Sequence, residues 1–159
     1  MKILLKKSMM QVLAMGVLAI SLASCKKEKN ETPQNQIEDA AGLNVTLNWS
    51  MADGTNALNT DLDVYLYQGT GMVSQVAAGD AENQFENFDI VPTIADGEYT
   101  LAVDPYAVSG NGTYTLKVNG KAVAQTYELK NVAFSYADNQ EKAVLRINKA
   151  GNKYTFTKL

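Results

Sequence analysis

The 159-residue chain contains no histidine and one cysteine. Without histidine there is no Ser-His or Cys-His nucleophile and no histidine-ligated zinc. Without a second cysteine no disulfide can staple the fold. No Gly-x-Ser-x-Gly elbow, P-loop or dinucleotide fingerprint occurs. Paired carboxylates could still hydrolyse a glycoside, but nothing singles out such a pair among seventeen Asp and Glu. The sequence therefore points away from an enzyme. Positive charge is also missing over a long stretch: residues 30–116 hold thirteen acids and no Lys or Arg, whereas residues 117–159 hold eight basic and three acidic residues. The first stretch does not suit nucleic acid or any other polyanion, and suits a cation.

What is present begins with a targeting segment. Lys2, Lys6 and Lys7 precede an almost wholly apolar run over residues 9–20, followed by Leu22-Ala23-Ser24-Cys25. A basic n-region, a short apolar h-region and small residues before a cleavage point describe a secretory signal, and the run is too short for a membrane span. Leu22 to Cys25 resembles the lipobox of bacterial lipoproteins. That resemblance implies cleavage of a signal peptide over residues 1–24, acylation of Cys25 with palmitate, and a membrane partner reached through the lipid. It also accounts for the only thiol of an exported chain. Lys26 stands where some lipoproteins carry the aspartate that retains them at the inner membrane, so the outer membrane is expected, with its face open. Residues 26–41 are polar and aperiodic, and are expected to be a disordered tether. The remaining 118 residues, 42–159, suffice for a core without disulfides.

Within that domain the pattern is of strands. Leu43, Val45, Leu47 and Trp49 alternate with polar residues, which places Trp49 in the core. Weaker strand signals cover residues 72–78 and 85–91, and clear alternation returns at Tyr99, Leu101 and Val103. Residues 113–118 run into Asn119-Gly120, the strongest hairpin signal of the chain. Further strands are expected over residues 121–129, 132–136, 143–147 and 154–157. Turn signals every 8–12 residues and no helical periodicity predict an all-β antiparallel sandwich, jelly-roll-like, of about nine strands.

The most informative stretch is Asp61-Leu62-Asp63-Val64-Tyr65-Leu66-Tyr67. Leu62, Val64 and Leu66 share one face of a strand, and Asp61, Asp63, Tyr65 and Tyr67 the other. Asn59, Asp61 and Asp63 offer oxygen ligands at alternate positions, the type calcium takes. Two such charges, about 7 Å apart, repel by roughly 0.6–2.4 kcal/mol. Asp104 ends its own strand on the non-core face and completes the expected calcium set if the two strands are antiparallel neighbours. A set of solvated aspartates keeping a strand soluble is the plain alternative. Tyr65 and Tyr67, on the same face, are candidates to stack on a sugar ring, or to pack beneath a loop.

The series of residues 61–67, Gly97 to Val103 and Gly112 to Val118 resembles the bacterial pre-peptidase C-terminal domain. That resemblance implies a jelly-roll-like sandwich, and relatives that bind calcium, collagen or carbohydrate. Asp61 and Asp63 match its acidic strand motif, but here no enzyme adjoins the domain and four more strands follow Val118. Two functions are expected on these grounds. One is a non-catalytic binding or adhesion module on the outer membrane, calcium-stabilised and directed at a glycan. The other is a structural envelope lipoprotein acting on another envelope protein.

Overall fold

A computed structural model describes residues 34–54, 59–81 and 85–159. Cys25, the signal segment, the first part of the tether and parts of two loops lie outside the described residues. Ten strands are present among the described residues: β1 (Gln36–Glu38), β2 (Leu43–Met51), β3 (Asp61–Gln68), β4 (Ser74–Gly79), β5 (Phe85–Ile90), β6 (Gly97–Ala107), β7 (Gly112–Gly120), β8 (Thr126–Phe134), β9 (Lys142–Ala150) and β10 (Lys153–Lys158). They form two antiparallel sheets packed as a sandwich, ordered β1-β10-β9-β6-β3-β4 and β5-β2-β7-β8.

The core comes from the alternations. Leu43, Val45 and Leu47 of β2 face Leu62, Val64 and Leu66 of β3, and all are 0–1% exposed. Trp49 is buried and its indole Nε1 donates to the Thr60 carbonyl (3.1 Å). This satisfies the one polar atom that the ring takes into the core. Tyr127 of β8 stacks on Phe156 of β10 at 4.8 Å between ring centroids, joining the two sheets.

Three features differ from the sequence reading. Strand β1 lies within the expected tether: Ile37 is 1% exposed and pairs with Tyr154. Asp39 follows it, 1% exposed, and its carboxylate accepts from the amides of Ala41 (2.7 Å), Ala122 (2.6 Å) and Val123 (3.0 Å). Three residues were too short a signal to show periodicity. Second, Asn119-Gly120 is not the hairpin turn. Both residues still pair with β2, and the connection to β8 is residues 121–125. Asp39 organises that loop, and a side chain at position 120 would meet Val123 at 2.5 Å and the Asp39 carboxylate at 2.9 Å. A two-residue hairpin does form at Gly151-Asn152, between the expected strands 143–147 and 154–157, with Gly151 at φ +59°. Third, residues 126–134 form one strand, because a register shift with Asn131 at φ +52° makes two expected strands a single bulged one.

The connections sort to two ends. The last residues of β2, β4, β6 and β8 and the first residues of β3, β5, β7 and β9 all lie at one end of the sandwich.

Candidate functional site

Leu62, Val64 and Leu66 of β3 are buried as the alternation requires, and the register brings part of the expected set together. β3 pairs with β6 and places Asp63 directly opposite Asp104. Like charges in that position destabilise a sheet. Asp61 lies opposite Ala107, because the register shifts between Asp61 and Asp63. The extra residue falls at Pro105-Tyr106, where a proline without an amide proton is tolerated. Asn59 is exposed in the turn before β3, two residues from its end.

Asp63 is 5% exposed, and the Tyr65 hydroxyl donates to its Oδ2 at 2.9 Å. Burial pushes the Asp63 pKa up, the tyrosine opposes this, and the charges of Asp61, Asp104 and Asp80 raise it further. The Tyr65 hydroxyl is in turn pushed far up, by burial and then by Asp63. Tyr67 is also buried, and burial and its hydrogen bond to Glu141 push it up to about 12. The two rings lie 6.3 Å apart, tilted by 53°. They stand opposite Ala102 and Thr100, both fully buried and small enough for rings to lie along the sheet. Tyr67 is therefore part of the packing, and Tyr65 is half-buried and engaged with Asp63. They do not form an open stacking platform.

Glu86 was not singled out from the sequence. It is 2% exposed, on the inward face of β5 with Phe88 and Ile90. Its Oε2 accepts from the Ala81 amide at 3.0 Å, and among the described residues Oε1 has no hydrogen-bond partner. Burial raises its pKa, with the Ala81 amide opposing and Asp63, Asp61 and Asp80 adding to the rise. Gly79 permits this approach, since a Cβ there would meet the Glu86 Cβ at 3.0 Å and the Asn87 amide nitrogen at 3.1 Å. The signal was a carboxylate occupying an apolar position in the alternation of Phe85-Glu86-Asn87-Phe88-Asp89-Ile90.

The end thus gathers Asp61, Asp63, Asp80, Glu86 and Asp104 from four segments of the fold. Elsewhere among the described residues, six of the eight Lys and Arg sit in ion pairs. Lys117 and Lys130 pair with Glu128, Lys121 with Asp89, Lys142 with Asp138, Arg146 with Glu98 and Lys149 with Asp96. None of those pairs involves Asp63, Asp80, Glu86 or Asp104. Yet among the described residues no three acidic groups are placed to hold one metal ion. Within this set Tyr65 engages Asp63, and Glu86 is buried in the interior. What the arrangement offers is a concentrated negative potential. Comparison with protein-family models, curated proteins and solved structures returns no match, so the site is read from its own chemistry.

Proposed function

We propose that this chain is a non-catalytic binding module, anchored to the outer membrane through a lipid on Cys25, that presents the acidic end of its sandwich to a positively charged envelope partner. The observation that carries the reading is the exposed Asp80 and half-buried Asp104, gathered over the buried Asp63 and Glu86 and outside the ion pairs found elsewhere. Like charges brought together lower stability, and a partner carrying Lys or Arg relieves that cost on binding. The absence of histidine, which rules out Ser-His and Cys-His nucleophiles, supports a binding role over a catalytic one. The burial of Tyr67 favours a protein partner over a glycan, because a sugar platform needs an open ring face.

The test is a binding screen of residues 31–159 against a glycan array and against fractionated envelope proteins, in wild type and in the variant D63N/D80N/D104N. The expected result is retention of a basic envelope protein that weakens with salt and is lost in the variant. Equal retention by wild type and variant would refute the reading, and binding confined to glycans would redirect it.

A further inference from the structure

A second feature opens at the same end, between the sheets. Leu62, Val103, Tyr114, Val132 and Phe134 line a cleft of about 160 Å³, with Asp138 and Lys142 at its rim. It exists because β8 is the edge of its sheet and because the β6–β9 register shifts after Leu101, leaving the small Ala143 at the wall. Phe134 is held there by Gly112, where a Cβ would meet the ring at 2.4 Å.

We propose that this cleft binds a small organic amine, its apolar body between the sheets and its ammonium group at Asp138. Size sets the first limit: an apolar cavity of about 150 Å³ accommodates a benzene ring. Charge sets the second. Asp138 is held in place by the Ser135 amide (2.7 Å) and hydroxyl (3.2 Å), so its carboxylate is positioned before any ligand arrives. Its partner Lys142 is 59% exposed, and such a surface pair is weak enough to exchange. An incoming ammonium takes the lysine's place, with the aromatic rings of Tyr114 and Phe134 adding attraction for a cation. A carboxylate ligand would meet Lys142 only as an exposed, mobile side chain and would still face the fixed Asp138. Burial, with Asp138 nearby, pushes the Tyr114 hydroxyl up to about 12, so it stays a neutral polar group at physiological pH.

The proposal rests on reading this end as the cation-binding end, but it uses different residues and can fail separately. The probes are benzylamine, benzyl alcohol and benzoate, matched in size and differing in charge, titrated into ¹⁵N-labelled residues 31–159. This compact unit contains the entire described core. Benzylamine should bind with a dissociation constant of order 1 mM, shifting the amides of Val132, Ala143 and Val144. Benzyl alcohol should bind more weakly, and benzoate at least about ten-fold more weakly. Lys142→Ala frees Asp138 and should tighten benzylamine binding about two- to five-fold. Ala143→Leu should fill the cleft and abolish it. The variant D63N/D80N/D104N should leave the affinity within about two-fold, since its charges lie outside the cleft. Benzoate binding as tightly as benzylamine, shifts centred elsewhere, or no gain in Lys142→Ala would each overturn the proposal. Should Ala143→Leu fail to fold, the Lys142→Ala arm still decides, because it changes only an exposed side chain. Loss of cleft binding with partner retention intact would sink this inference alone.

Discussion

Asp39→Ala should be among the most damaging single substitutions of a polar residue in this domain. The side chain is 1% exposed and its two oxygens accept three backbone amides, joining the turn after β1 to the loop between β7 and β8. A hydrogen bond to a charged acceptor contributes about 1.5–3 kcal/mol, and a buried donor left unpaired costs about 1–3 kcal/mol. Ala41 and Ala122 are exposed, so water recovers part of the loss at those amides, whereas Val123 is half-buried. The net cost works out at roughly 2–4 kcal/mol, or a fall in Tm of roughly 6–20 °C for a domain of this size. The cost should also depend on pH. Burial works against the Asp39 charge, but the amides of Ala122, Ala41, Val123 and Lys121 outweigh it and hold the pKa below 3.8. A carboxylate with a lowered folded pKa adds stability above its unfolded pKa and loses it as pH falls through the folded value. The stability gap between wild type and Asp39→Ala should therefore be constant near neutral pH and shrink below about pH 4. Urea melts across pH 2–7 measure both quantities. A variant within about 1 °C of wild type at pH 7, or a gap that widens in acid, would refute the reasoning.

Glu86→Gln should behave in the opposite way. Its folded pKa is raised by burial and by Asp63, Asp61 and Asp80, so the charged form lowers stability at neutral pH and protonation relieves that as pH falls. The variant should melt above wild type at pH 7, with the gain fading as pH falls through the raised folded pKa and gone below about pH 4; a lower Tm at pH 7 would contradict this. Val64→Asp puts an unpaired charge at a fully buried site and should cost more than about 4 kcal/mol, so a soluble variant with a cooperative melt would overturn the assigned core face. Cys25→Ala should abolish metabolic palmitate labelling and leave the precursor uncleaved, and undiminished label would rule out the lipid anchor.

The sandwich was legible because one wet face per strand writes a period of two into the sequence. Leu43 to Trp49 and Leu62 to Leu66 are buried where alternation placed them. β1 escaped because three residues hold less than two periods, and its burial depends on β10, more than a hundred residues away. The Asn119-Gly120 signal misled because tertiary packing against Asp39 overrode a local turn preference. At the site, the facing of Asp63 and Asp104 followed from strand adjacency, but the bulge that displaces Asp61 depends on a register no single strand encodes. Tyr67 was assigned to the polar face correctly and is nevertheless buried, because alternation gives a direction and not the depth of cover. Glu86 was visible as a misplaced carboxylate, but its company became apparent only when β4 and β5 came together.

If the acidic end is the binding end, carboxyl footprinting of the partner complex should show it. Asp80 is exposed and Asp104 half-buried at that end, whereas Glu38 lies at the far edge on β1. Amide-coupling reagents label accessible carboxylates, and mass spectrometry reads the extent at each residue. The account predicts that complex formation lowers labelling of Asp80 and Asp104 and leaves Glu38 and Glu128 unchanged. Protection at Glu38 or Glu128, with Asp80 and Asp104 labelled as in the free domain, would contradict it.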